Sequence, residues 1–386
     1  MTPVDPSDLR APLLDTVRRF VDREVIPAAS ALEHDDAYPH ALVARLKELG
    51  LFGATIPTEF GGLGLDYTTY AMVIEEIGRG WMSLTGVLNT HLVLGYLLAQ
   101  HGTREQQERW LPAMARGEHR GALCLTEPHA GSDVQGIRTT AVRDGDHYVV
   151  NGSKMFITNA RTATLYALVV KTDPRADPPH RGISLLVAER EAPGVGIGRD
   201  IEKLGYKSVE TCEVSFEDAR VPRTHLLGAV EGYGFQQVMS ALEVGRINVA
   251  ARAVGVAQAA FDDAIRYAQQ RTTFGKPICE HQAVQLRLAD MATSIEAARL
   301  LTRRAAELKD RGERVDVEAG MAKLFASETC QQVSLDAMRV LGGYGYTKEF
   351  RVERYYRDAP LMLIGEGTSD IQRLVIARGL VQRHRV

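Results

Sequence analysis

From Gly121 to about Val221, short β-branched runs broken by turns interrupt a chain that otherwise repeats its apolar residues at helical spacing. Val142, Tyr148-Val149-Val150, Phe156-Ile157-Thr158, Tyr166 to Val170, Ile183 to Val187 and Cys212 to Phe216 follow one another at roughly ten-residue intervals, with no helical period between them. Asp144-Gly145 and Asn151-Gly152 are hairpin-type turn signals. Asp173 to Pro179 is a proline-rich surface loop. Strands spaced in this way, without crossover helices, predict an antiparallel barrel or sandwich.

The flanks are helical. Leu9, Leu13, Val17, Phe20 and Val21 recur at three- and four-residue steps, and Pro27 is expected to end that segment. A short helix over Pro39 to Leu49 stops at Gly50, Ile56 to Gly64 is a loop, and helical stretches follow over Thr68 to Gln100 and Glu105 to Ala115. His91 and His101 fall among apolar residues and read as satisfied helix histidines. Beyond Gly232 the helical period returns over Gly234 to Gln270 and Val315 to Val340. Between them Val284, Leu288, Met291, Ile295 and Ala298 form one apolar stripe. The predicted class is multidomain α+β: an N-terminal helical domain (1–120), an antiparallel β-barrel domain (121–231) and a C-terminal four-helix-bundle domain (232–386).

Composition narrows the function. A net charge of -3 gives no electrostatic case for nucleic acid or an anionic membrane. Cys124, Cys212, Cys279 and Cys330 lie far apart and fit neither a zinc pattern nor a disulfide framework, so they read as buried thiols with no metal site. Met1 to Arg10 has no signal-peptide apolar run and no stretch approaches the length that crosses a bilayer, so the expected location is cytoplasmic. Phosphate-binding P-loop, His-Glu-x-x-His and Gly-x-Ser-x-Gly motifs are absent. Gly194, Gly196 and Gly198 lie inside the β-domain, away from any strand-to-helix turn, and read as turn glycines.

Polar, glycine-rich segments remain. In Ile364-Gly365-Glu366-Gly367-Thr368-Ser369-Asp370-Ile371-Gln372 a carboxylate sits between two glycines just before a helix that Thr368 or Ser369 caps. The glycines let a ligand approach Glu366, and the helix N-terminus offers free N–H groups to an anion. Leu125 to Asp133 opens the β-domain, Phe156 to Asn159 follows within it, Arg271 to Lys276 breaks two long helices, and Arg339 to Gly343 precedes a turn. Together they supply hydroxyls, guanidinium groups, open backbone amides and one carboxylate. That set suits a large phosphate-containing cofactor and an acid–base step.

The segments Leu125 to Asp133, Lys154 to Asn159, Arg271 to Lys276, Leu341 to Tyr346, Tyr356 to Ala359 and Glu366 to Arg373 match the acyl-CoA dehydrogenase family in order and spacing. The chain resembles that family from end to end, and most closely its short-chain and branched-chain members. The resemblance implies FAD, a homotetramer arranged as a dimer of dimers, and α,β-desaturation of an acyl-CoA thioester. Glu366 would take the α-proton, the flavin N5 would take the β-hydride, and the Glu366 N–H and a ribityl hydroxyl would hold the developing enolate. Some relatives carry the base at the position matching Gly245, where a glycine cannot serve. Leu123, Leu125, Thr126, Gly131, Ser132, Phe156, Ile157 and Thr158 would lie on the isoalloxazine side, with Phe156 standing in for a more usual tryptophan. Arg271, Thr273, Phe274, His281, Gln282, Arg339, Gly342 and Gly343 would hold the pyrophosphate and adenosine across a subunit interface, Arg339 replacing a common glutamine. Thr368, Ser369 and Asp370 would complete the flavin site. Ser132, Glu243, Arg246, Gly365 and Gly367 would meet the acyl-CoA.

The resemblance also implies electron-transfer flavoprotein as the electron acceptor. The alternatives are the same chemistry on a carrier-protein thioester, a flavin oxidase of the same fold, and a non-catalytic scaffold, against which the intact Glu366 argues. Gly365 stands where straight-chain relatives often carry a tyrosine over the acyl α-carbon. That vacancy, with Phe156 for tryptophan, predicts a preference for short branched, cyclic or aryl-substituted acyl groups.

Overall fold

The computed structural model describes residues 6–385, with side chains from Arg10 onward. Of the reading of Met1 to Arg10, residues 1–5 and the side chains of residues 6–9, Leu9 among them, fall outside those limits. Helix α1 (Pro6–Phe20) does not end at Pro27 as the sequence suggests. A π-helical turn (Val21–Val25) carries it straight into α2 (Ile26–His34). Ile26 N–H reaches back five residues to Val21 O, and this wider turn places Pro27 in the first turn of α2, where its missing N–H leaves no bond unmade. Helix α3 (His40–Glu48) stops at Gly50, which is left-handed at φ 71°. Asp66 caps α4 (Tyr67–Gly80), and a Thr103/Gln106 capping box starts α6 (Arg104–Ala115).

Between these last two lies α5 (Met82–His101), which corrects the expectation that no segment approaches a bilayer's thickness: it is long and apolar enough. Its most apolar window is 89% buried inside the protein, so the surrounding fold accounts for its apolar character. Both histidines are satisfied, His91 by Phe52 O (2.9 Å) and the Gly121 N–H (3.2 Å), and His101 by Ser240 Oγ (2.9 Å).

Seven strands follow: β1 (Gly121–Cys124), β2 (Thr140–Asp144), β3 (His147–Thr158), β4 (Leu165–Lys171), β5 (Ile183–Glu189), β6 (Val195–Asp200) and β7 (Thr211–Pro222). They form one sheet in the order β1-β4-β2-β3-β7-β6, with β5 added on β4. The sheet is mixed, not wholly antiparallel, because β1 runs parallel to β4, Gly121 facing Leu165. The loop and hairpin between those strands are long enough to return the chain in the same direction. Asp144-Gly145 does close the β2–β3 hairpin. Asn151-Gly152 is not a turn: it lies within β3 at a bulge where the register to β7 shifts. Gly152 is needed there because a Cβ would stand 2.5 Å from Thr139 Oγ1. Likewise Gly194 turns the chain, whereas Gly196 and Gly198 lie in strand β6.

Strands β4 and β5 are buried on both faces. Leu165, Ala167, Val169, Leu185 and Val187 face the helices, while Tyr166, Leu168, Val170, Leu186 and Ala188 fill the β-domain's own core. This two-sided burial welds the β-domain to the helical body.

The C-terminal part comprises α7 (Gly234–Gln270), a two-stranded ribbon of β8 (Thr272–Thr273) and β9 (Lys276–Pro277), α8 (Gln282–Asp310), α9 (Asp316–Leu341), α10 (Val352–Ile364) and α11 (Ser369–Arg383). Met291, Ile295 and Ala298 bury the α8 stripe, with Val284 and Leu288 at its margin. Helix α7 is the hub, packed on α4, α5, α8, α9 and α10, with an alanine-rich buried centre that lets its neighbours approach closely. Cys124, Cys212 and Cys330 are buried as expected and Cys279 is half-buried; all four are free thiols.

Candidate active site

Helix α10 ends at Ile364 and α11 begins at Ser369, so four residues must reverse the chain. Thr368 is the N-cap, its Oγ1 accepting from the Ile371 N–H at 3.3 Å. Glu366 is left-handed at φ 56° and Gly367 at φ 90°. A non-glycine residue holds such a conformation only when its surroundings fix it. Here Lys323, fully buried on α9, donates to Gly367 O (2.8 Å) and Leu363 O (3.3 Å). Gln372 Nε2 donates to Glu366 O (3.1 Å) and Gly367 O (3.0 Å). With its carbonyls held from below, the turn leaves the Glu366 N–H without an acceptor among the described residues.

The Glu366 side chain enters the space between α5 and α7. It lies against Gly245: a Cβ built there would stand 1.7 Å from Oε2. Asn89 Nδ2 donates to Oε1 at 2.5 Å. Oε2 is sealed from water and has no partner among the described residues, so the half-buried character of the residue belongs to its other atoms. Burial pushes this carboxyl above the ordinary glutamate range, opposed by Arg252 foremost and then by Asn89, Arg246 and Lys323. A dry carboxylate with one open oxygen and a raised affinity for protons is the chemistry of a general base.

The remaining predicted residues fall into three groups. Arg271, Thr273, Gly342 and Gly343 line one cavity of about 450 Å³ with Tyr267 and Tyr344. The two glycines are open to approach, and the Arg271 guanidinium has no acceptor among the described residues. His281 does not face that cavity freely: its Nε2 lies 3.3 Å from Thr273 Oγ1 and 3.2 Å from Thr273 O, ordering the ribbon. Phe274 is 97% exposed, Gln282 is exposed, and Arg339 pairs with Asp336 at 3.1 Å. Thr368, Ser369 and Asp370 line a second cavity, of about 500 Å³, with Glu328, Gln331 and Ile364. In the third group, Leu123, Leu125, Thr126 and Thr158 are half-buried, while Gly131, Ser132 and Phe156 are exposed. The Ile157 side chain points into the β-domain core, so only its backbone can meet a ligand. One free guanidinium, hydroxyls and open glycine backbone form a donor set that fits a pyrophosphate-containing cofactor.

Several functional residues escaped the sequence reading. The Leu125 to Asp133 loop is held by a buried ion pair, Lys154 Nζ to Glu127 Oε1 at 2.7 Å. Glu127 also accepts from the amides of Arg138 and Thr139, and Lys154 donates to Leu125 O. Burial opposes its ionisation, yet Lys154 and these amides hold the Glu127 carboxyl below its ordinary range. Glu243, expected to meet substrate, is buried and paired with Lys309 at 2.9 Å. Asn89, Lys323 and Arg252 carried one signal, a polar residue in an otherwise apolar helical run.

Helical domains on either side of a β-domain thus hold a dry carboxylate on an inter-helix turn, beside a donor set that suits a phosphate-containing cofactor. The chain belongs to the acyl-CoA dehydrogenase family, FAD-dependent enzymes that dehydrogenate acyl-CoA: the family's N-terminal domain matches residues 8–118, its middle domain 122–219 and its C-terminal domain 232–381. It is 43% identical to an acyl-CoA dehydrogenase of Bacillus subtilis, covering 95% of this chain and 96% of that one. It is also 43% identical to the mitochondrial short-chain specific acyl-CoA dehydrogenase of Bos taurus, over 97% and 90% of the two chains. The butyryl-CoA dehydrogenase structure from Megasphaera elsdenii superposes with a TM-score of 0.94 at 36% identity, over 99% of each chain.

Proposed function

We propose that this enzyme dehydrogenates short branched, cyclic or aryl-substituted acyl-CoA thioesters, with Glu366 as the base that removes the α-proton. The observation that carries this reading is the Glu366 carboxylate, dry and pressed on Gly245, with Oε2 unpaired. Oε2 accepts the proton while Asn89 holds Oε1 in place. The free Glu366 N–H donates to the thioester oxygen as negative charge develops there, where a preorganised donor is most effective. Ser132, Arg246, Gly365 and Gly367 contact the acyl-CoA. Glu243, engaged by Lys309, contributes through that pair. FAD, when bound, supplies the acceptor for the β-hydride. Arg271, Thr273, Gly342 and Gly343 hold its pyrophosphate and adenosine portion, and Thr126, Ser132, Thr158 and the start of α11 hold its ring portion.

Shape preference follows from Gly365, where an added Cβ would meet only Leu361 O, at 3.4 Å. The space a larger residue would fill is therefore open beside the base. Phe156 is 61% exposed and adds nothing to this argument. We place the domain divisions at residues 120 and 231, the assembly as a dimer of dimers, the electron acceptor as electron-transfer flavoprotein and the location as the cytoplasm.

Glu366→Gln keeps shape and hydrogen bonding but cannot take the proton. It should retain FAD and slow flavin bleaching by at least ~10²–10⁴-fold, the usual worth of a positioned base. Bleaching at the parental rate would place the base elsewhere. In the parent, isobutyryl and cyclohexanecarbonyl thioesters should outperform butyryl by ~10–200-fold in kcat/KM, and Gly365→Tyr should narrow that margin.

A further inference from the structure

The charges around Glu366 do not balance. Arg246 and Arg252 on α7 and Lys323 on α9 are all at least nine-tenths buried, and all three act on this one carboxylate. Glu243 is offset by Lys309. Neither Arg246 nor Arg252 has a salt-bridge partner among the described residues, and the Nε of each is buried without an acceptor. Buried cations are strongly disfavoured unless an anion meets them. Proton transfer to Glu366 does not supply one, since it moves the negative charge from carboxylate to thioester oxygen without changing the count.

Arg252 is placed to receive the missing anion. Gly245, Asn248 and Arg252 stand at i, i+3 and i+7 on one face of α7. Helical side chains lean toward the N-terminus, so Arg252 extends back toward Gly245 and the carboxylate lying on it. Of the cations near Glu366 it acts most strongly. The face around it is polar. Asn248 Nδ2 donates to Tyr70 Oη at 2.7 Å while its Oδ1 is buried and unpaired among the described residues. The Tyr206 ring stands 6.0 Å from the Arg252 guanidinium. An aromatic face attracts a cation but is no counter-ion. Gly78 of α4 packs on the Arg252 backbone, where an added Cβ would lie 3.1 Å from its Cα. Arg252 is 5% exposed, so its guanidinium belongs to the interior, on the side of the acyl group that Glu366 would deprotonate.

We infer that Arg252, with Asn248 and Tyr206 beside it, is an anion subsite for the far end of the acyl group, and that the substituted short acyl groups of the proposed function include ones ending in a carboxylate, that is, dicarboxylic acid half-thioesters of CoA. This rests on Glu366 being the base, which fixes where the acyl α-carbon lies. The test is equilibrium binding of glutaryl-CoA and butyryl-CoA to the FAD-loaded Glu366→Gln enzyme, which needs no turnover. Glutaryl-CoA should bind more tightly by about 10- to 100-fold, the worth of one charge-assisted hydrogen bond. Adding Arg252→Gln should bring the two affinities together. Arg252→Lys, which keeps the charge and guards against a folding artefact, should preserve most of the difference. Equal or weaker binding of glutaryl-CoA, or a preference that survives Arg252→Gln, overturns the subsite. Failure of Glu366 as base shows itself separately, as parental bleaching by Glu366→Gln, and leaves this affinity ratio readable.

Discussion

Gly245 and Glu366 make a pair that one methyl group should separate. In Gly245→Ala the new Cβ would lie 1.7 Å from Glu366 Oε2 and 2.6 Å from its Cδ, whereas ordinary contact begins at 3.4 Å. Helix α7 cannot retreat, because α4, α9 and α10 enclose it. The carboxylate must therefore move by about 1.7 Å, and its 2.5 Å bond from Asn89 is lost or bent. A misplacement of about 1 Å at a reacting group costs on the order of 10²-fold in rate. The same change replaces a glycine inside a helix, which favours folding by up to ~1 kcal/mol. Gly245→Ala should thus keep its FAD and keep or raise its Tm, while anaerobic single-turnover bleaching by an acyl-CoA slows at least ~10²-fold. A rate within a small factor of the parent, at unchanged FAD content, would refute the claim that this carboxylate does the chemistry from where it lies.

Asn89→Ala removes a donor that favours the ionised form of Glu366, leaving Arg252, Arg246 and Lys323 to oppose burial beside Tyr70 and Tyr206. The base must be deprotonated to act, so the acidic limb of the rate–pH profile should move to higher pH; an unmoved limb would rule Asn89 out as a positioning residue. Lys154→Met strands the buried Glu127 carboxylate and should cost ~3–5 kcal/mol in denaturant unfolding, with the double change Glu127→Leu/Lys154→Met recovering most of it. In the parent, Glu127 has a depressed pKa, so its contribution to stability is complete above the ordinary glutamate range and is lost as pH falls through the folded value. Arg271→Ala should lose FAD and weaken assembly together, read by absorbance and sedimentation; a monomer with full FAD would contradict it.

How much of this was legible in the sequence depended on whether the signal was local. The α8 stripe, the Thr368 cap and the Asp144-Gly145 hairpin are set by neighbours within a turn or two, and each lies where periodicity or turn chemistry places it. Asn151-Gly152 has the same local chemistry as a hairpin, yet Gly152 answers to Thr139 across the sheet, which no local pattern reveals. Pro27 misleads for the opposite reason: its local rule holds, and the π-turn before it satisfies the rule without ending the helix. The parallel pairing of β1 with β4 is a long-range choice, and so invisible to strand spacing.

The site divides along the same line, and its placement on a turn has a physical reason. Glu366 was readable because glycines flank it, whereas Asn89, Arg252 and Lys323 sit one to a helix, far apart in sequence, and converge only through packing. A base at position 245 would have its backbone N–H committed to the i→i−4 ladder of α7, so it could offer the substrate only a carboxylate. At 366 the chain has left α10 and not yet entered α11, and the amide has no acceptor among the described residues. One residue can then present a proton acceptor to the α-carbon and a donor to the thioester oxygen. The left-handed backbone that permits this is strained, and Lys323 and Gln372 hold it by capturing the carbonyls on its other side. Glycine at 245 completes the arrangement, since any side chain there would occupy the space the carboxylate needs.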